Sequence, residues 1–159
     1  MSKIAIVTDT DCSLPDSLVN EYDIRLVPIT VHFGDEVLET GVDIDDASLF
    51  VRVDSEGVLP TTAAPPPGKF AEAYQAAFDG GADQVICFCV SGEISATYNA
   101  ALAARDLVPG RDITVVDTRT LSMGQGFQAL AAAEAARAGA TKDEIVALAE
   151  SIGERTHFY

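Results

Sequence analysis

Short apolar runs alternate with stretches of helical spacing along almost the whole chain, and this alternation limits the fold more than any other feature. The run KIAIVTD is rich in β-branched residues and ends in Asp9, which predicts a buried strand. In SLPDSLVNEY, Ser13 is placed to cap a helix and Pro15 to occupy its first turn. IRLVPITVHF reads as strand interrupted at Pro28, with its far half an edge or an excursion from the sheet. FGDEVLET predicts a hairpin around Gly34 and Asp35. DIDDASLFVRV has an acidic start and helical spacing of Ile44, Leu49, Phe50 and Val53. LPTTAAPPPG is neither helix nor central strand, because proline lacks the N–H and fixes φ. Phe70, Tyr74 and Phe78 then share one face of a helix stopped by Gly80.

DQVICFCV is the third strand, residues 95–107 the next helix, and DITVVD the fourth strand. SMGQGFQALAAAEAARAGA is an Ala-rich helix stopped at Gly139, and the TKDE at 141–144 is a capping box opening another helix through about Gly153. RTHFY, residues 155–159, reads as the start of a further strand, as in a fragment or a domain without its partner. Strand and helix in alternation predict an α/β fold, a mostly parallel sheet with helices on both faces.

The 159 residues suit one domain, and 48% hydrophobic with 22% charged residues predicts a globular chain. No uncharged apolar run approaches the ~18 residues of a membrane span. The amino-terminal run stops at Asp9, too soon for a signal peptide, so a cytoplasmic protein is expected. The net charge of -15, with ten scattered Lys and Arg residues, argues against nucleic acid and anionic membranes as partners. Cys12, Cys87 and Cys89 fit reduced core thiols, and CFC lacks the spacing of a C-x-x-C site, so no metal is expected.

Ligands of such folds bind beyond the carboxyl ends of the strands. TDTDCS, SGEIS and DTRTLSMGQG all leave a strand at that end, and the loop PTTAAPPP precedes a helix that can bring it to the same rim. Any single hydroxyl there is more often a helix cap than a ligand group. A serine hydrolase needs a base beside its nucleophile, whereas the chain has only His32 and His157 and no G-x-S-x-G elbow. The strand ending in Asp-x-Asp resembles the start of haloacid-dehalogenase-type phosphatases. That alternative makes Asp9 the nucleophile and Asp11 the acid/base beside Mg²⁺, with Ser91 on the phosphate, but Asp117 stands alone as a later acidic partner. Binding without catalysis is the other reading. Ser95 and Thr97 at a helix start offer an anion site with no fixed positive charge, beside FCV, AALAA and FQALAAA, which suits a polar head with a long apolar tail. A structural domain that binds nothing by itself is a third.

Taken together, TDTDCSLP, TAAP, ISATYNAA and DTRTLSMGQG resemble the DegV family of bacterial fatty-acid-binding proteins. Its pattern runs T-D-S-x-x-D-L-P, T-S-Q-P, L-S-G-T-Y, and D-S with S-x-G-x-G before an Ala-rich helix, in the same order. The resemblance implies a non-catalytic carrier with no cofactor beyond its bound lipid. It presents a long-chain fatty acid to a separate fatty acid kinase catalytic protein. It places the fatty-acid carboxylate on Thr62 and Ser95, with Asp9, Thr10, Ser91, Ala96, Thr97, Asp117 and Thr118 supporting the pocket. Ala63 and Ala64 depart from the family's Ser and Gln, and Ala96 replaces its Gly, where a Cβ is costly if that position is left-handed. The resemblance covers a first, lipid-binding domain, residues 1–159, truncated at its carboxyl end, and implies that the family's second domain is absent from this chain.

Overall fold

A computed structural model describes residues 2–157. Along the chain run β1 (Ile4–Asp9), α1 (Asp16–Glu21), β2 (Arg25–Val27), β3 (Thr30–Phe33), β4 (Glu36–Glu39), α2 (Asp46–Glu56) and β5 (Thr61–Ala63). Then come α3 (Pro67–Asp79), β6 (Gln84–Cys89), α4 (Thr97–Ala104), β7 (Asp112–Asp117), α5 (Met123–Arg137) and α6 (Lys142–Glu154). The four apolar runs form one parallel sheet in the order β2-β1-β6-β7.

Successive strand residues point to opposite faces, so an unbroken apolar run must be covered on both. Val7, Val85, Cys87 and Cys89 face Phe70, Tyr74 and Phe78 of α3 and Ala101 and Ala104 of α4. Ile6, Ile86, Phe88 and Val116 face the other way, onto Ala129, Ala132 and Ala133 of α5 and Ile145 and Ala149 of α6. The alanines of α5 let that helix lie close to its neighbours. Gly126 lies so near the turn after β1 that a Cβ there would stand 2.5 Å from the Cys12 carbonyl oxygen. All three cysteines are free and buried, as their apolar setting predicts.

Pro28 ends the parallel pairing of β2, and the chain makes the expected excursion. β3 and β4 form the hairpin around Gly34, and β5 joins β3 as an edge strand, giving an antiparallel sheet in the order β4-β3-β5. The proline-rich loop thus contributes a short edge strand before its prolines take over. The capping box of α6 forms as read: Thr141 N donates to Glu144 Oε2 at 2.8 Å, and Glu144 N to Thr141 Oγ1 at 3.4 Å.

Some local expectations fail. Ser13 does not cap α1: it closes a 3₁₀ turn at Thr10–Cys12 in the left-handed region, φ 52°, and Pro15 holds the N-cap position. The helix expected over 95–107 begins at Thr97, because Ser95 and Ala96 complete the turn before it, and its last turn tightens to 3₁₀ at Arg105–Leu107. The apolar spacing of α2 does not buy it a core; none of its residues is buried, and Phe50 is 67% exposed. Of RTHFY, residues 155–157 carry no strand, and Phe158 and Tyr159 lie outside the described residues.

Candidate functional site

The carboxyl ends of β1 and β6 are adjacent, so the loops leaving them meet. Asp9, at the end of β1, is fully buried and joins them: its carboxylate accepts the N–H of Val90 and that of Asp11, both at 3.0 Å. Burial raises its pKa to about 6, against the lowering effect of the Val90 N–H and the Gln125 amide. A nucleophilic carboxylate needs an oxygen open to substrate, and Asp9 offers none, which removes the geometric basis for the phosphatase alternative. Among the described residues, no group of three or more His, Cys, Asp and Glu side chains stands close enough to hold a metal ion.

Above Asp9 opens a cavity of about 370 Å³. The turn after β1 supplies Asp11 to it, the excursion supplies Ile29, and the edge strand β5 and its continuation supply Thr62, Ala63 and Ala64. Its remaining wall is Val90 with the stretch Ile94 to Thr97. Two hydroxyls far apart in sequence, Thr62 and Ser95, therefore line one space. Thr62 comes from β5 of the antiparallel sheet and Ser95 from the turn between β6 and α4, and the excursion that begins after β2 at Pro28 carries β3 and its partner β5.

Ser95 precedes α4 and prepares its start. Its Oγ accepts the Thr97 N–H at 3.2 Å and lies 2.8 Å from Thr97 Oγ1. Thr97 is fully buried. Ser91, also buried, accepts the Glu93 N–H on its Oγ at 3.3 Å, and its carbonyl accepts the N–H groups of Ile94 and Ser95, which shapes the turn. Ala96 has φ −76° and ψ −2°, so its Cβ carries no left-handed strain.

The other supporting residues lie behind or beside this cavity. Thr10 does not line it; its Oγ1 accepts the Ile29 N–H at 3.0 Å and lies 2.5 Å from Thr40 Oγ1, which fixes the excursion. Asp117 accepts the N–H of Gly92 at 3.2 Å and of Arg119 at 2.9 Å, and Thr118 Oγ1 donates to the Cys89 carbonyl at 2.8 Å. These two residues line a separate cavity of about 540 Å³ beside Tyr98, Gln128 and Gly153. The loop after β7 reaches the first cavity only indirectly, through the Ser122 N–H on Asp11 Oδ2 at 3.2 Å. Ser122 and Ser13 both have positive φ, and Ser122 Oγ donates to Ser13 Oγ at 3.0 Å. Of the apolar stretches expected beside the site, FCV supplies Val90, whereas AALAA and FQALAAA do not line this cavity; the sequence reading missed Ile29 and Ile94, because an isolated apolar residue carries no signal that separates a cavity wall from ordinary core. His32 pairs locally with Thr30 Oγ1 at 3.0 Å and lies beside no serine nucleophile of this cavity.

A family model described as an uncharacterised protein of the DegV family matches residues 3–159. The chain belongs to the DegV family. A DegV domain-containing protein of Streptomyces coelicolor is 40% identical over 158 residues, covering 98% of this chain and 56% of that protein. A DegV family protein from Thermus thermophilus, solved in a study of its fatty acid binding, superposes with a TM-score of 0.87 at 33% identity, covering 98% of this chain and 55% of that one. DegV of Bacillus subtilis, a fatty acid binding protein, gives 0.90 at 30% identity, with 97% and 55% covered. This DegV chain thus spans about half the length of these relatives. The parallel sheet and its helical layers are the shared DegV fold. Among the described residues, no helix is long and apolar enough to cross a membrane.

Proposed function

We propose that this chain binds a long-chain fatty acid, holding its carboxylate on Thr62 and Ser95, and serves as the lipid-binding domain of a longer cytoplasmic carrier. The observation that carries the reading is the shared cavity: Thr62 from β5 and Ser95 from the turn before α4 line one space of about 370 Å³ with the apolar Ile29, Val90 and Ile94. Two hydroxyls fix a polar head, and the apolar walls receive the first methylenes of a tail. The DegV relatives of Thermus thermophilus and Bacillus subtilis, described as fatty acid binding, support the choice of ligand. In this reading the protein performs no chemistry and needs no cofactor. It presents the carboxyl group to a separate fatty acid kinase.

Native mass spectrometry of the purified chain incubated with palmitate, followed by denaturing release, tests the reading. A stoichiometric complex with wild type that is lost in the Thr62→Ala/Ser95→Ala double variant is the expected result. A wild-type chain that remains empty, or a double variant that loads equally well, overturns it.

A further inference from the structure

α2 carries two apolar stripes on opposite faces. Leu49, Arg52 and Val53, spaced i, i+3 and i+4, are half-buried on one of them. Arg52 turns that face to the β3–β4 hairpin: its guanidinium lies 3.9 Å from the centroid of the Phe33 ring and pairs with Glu36 at 2.7 Å. Ala47, Phe50 and Val51 repeat the same spacing on the other face and are exposed, Phe50 by 67% and Val51 by 68%. Asp46 and Asp54, four residues before and after Phe50, flank this outward stripe and are exposed as well. The surrounding excursion is acidic: residues 35–56 hold eight of the 25 Asp and Glu residues and one of the ten Lys and Arg.

We propose that the outward face of α2 docks an amphipathic helix of a partner protein, with apolar side chains seated on Ala47, Phe50 and Val51 and Lys or Arg side chains beside Asp46 and Asp54. The spacing of the outward stripe is that of a helix presenting anchors to another protein. Charge selects among the occupants of an apolar face. Nucleic acid and anionic lipid both meet an acidic border here. A second copy of this chain brings the same acids to the contact, and like charges across an interface are unfavourable. A helix whose apolar stripe is bordered by Lys or Arg meets neither penalty: the stripe leaves water and each aspartate gains an opposite charge. α2 is also preformed, because Asp45 Oδ1 accepts the Ser48 N–H at 2.7 Å and Gly57 closes the other end with φ 65°. Docking therefore orders no new helix on this side. None of these residues lines the cavity of Thr62 and Ser95, so the inference stands apart from the lipid reading.

The test titrates the isotope-labelled chain with a synthetic amphipathic helical peptide of leucine and lysine, leucines on one face, and follows the backbone amide signals by NMR at physiological salt. Shifts centred on α2 are expected. Phe50→Ser/Val51→Ser, which changes two exposed side chains and keeps every charge, is expected to weaken binding by about tenfold or more, the scale of a lost apolar anchor. Asp46→Asn/Asp54→Asn is expected to weaken it less and to flatten its dependence on salt. Shifts spread over the acidic surface outside α2, equal binding by Phe50→Ser/Val51→Ser, or equal binding of a peptide with glutamate in place of lysine each overturn the proposal. Sedimentation that shows the wild-type chain pairing with itself, and Phe50→Ser/Val51→Ser not, gives the face to a second copy and overturns it too. In the longer carrier proposed above, α2 signals that the peptide does not move assign the face to the rest of that chain, with the same consequence.

Discussion

Ser95 Oγ lies 2.8 Å from Thr97 Oγ1 and also accepts the Thr97 N–H at 3.2 Å. Either hydroxyl can donate across this contact, and in the arrangement where Thr97 donates from both groups the Ser95 proton is free for a ligand in the cavity. Ser95→Ala and Thr62→Ala are each expected to weaken lipid binding by about 1–3 kcal/mol, the scale of one lost charge-assisted or buried hydrogen bond. Calorimetric titration with palmitate checks this, and affinities equal to wild type in both variants would refute the assignment.

Asp9 makes stability depend on pH. Burial raises its pKa from 3.8 to about 6, so the folded chain holds this proton more firmly than the unfolded chain does. The stabilising contribution is present in full below the unfolded value and is lost as pH rises through about 6. Asp9→Asn cannot titrate, and subtracting its unfolding free energy from that of wild type cancels the other acids. That difference is expected to fall by about 3 kcal/mol between pH 3.8 and neutral. Denaturant curves for both proteins that stay parallel across this range rule the effect out.

Gly126 sits where α5 crosses the turn after β1. A methyl group there meets the Cys12 carbonyl oxygen at 2.5 Å and the Leu14 side chain at 3.3 Å, so the backbone of the turn or the helix must shift to accept it. Gly126→Ala is expected to lose about 1–3 kcal/mol, the overpacking cost outweighing the better helix propensity of alanine. Gly68, exposed near the start of α3 with nothing within 4 Å of an added Cβ, is the contrast: Gly68→Ala is expected to be neutral or slightly stabilising. Urea unfolding of both variants distinguishes the two sites, and equal effects contradict the packing argument.

The α6 capping box closes orphan N–H groups at both Thr141 and Glu144. Thr141→Ala is expected to cost about 1 kcal/mol, and Thr141→Ser to restore most of it. Because α6 packs its Ile145 and Ala149 against α5, the loss should appear as a lower midpoint of global unfolding. Alanine and serine variants that melt alike contradict the assigned role of the hydroxyl.

What the amino-acid sequence determined by itself is what local period and side-chain chemistry encode. Unbroken apolar runs such as VICFC require burial on both faces and hence a parallel sheet between helices, and Thr141 with Glu144 specifies a helix start. Pro28 marks the departure from the sheet because a missing N–H cannot be hidden from a neighbour by anything distant. The tertiary structure alone decided which hydroxyls share a space. Thr62 and Ser95 meet because β5 pairs with β3 above the junction of β1 and β6, while Asp117 and Thr118, equally polar and also at a strand end, open on a different cavity. Ser13 turned left-handed instead of capping α1, and α2 fully buried none of its apolar residues. Each outcome depends on strand order and on which surfaces face one another, and those are relations between distant residues that spacing along the chain does not carry.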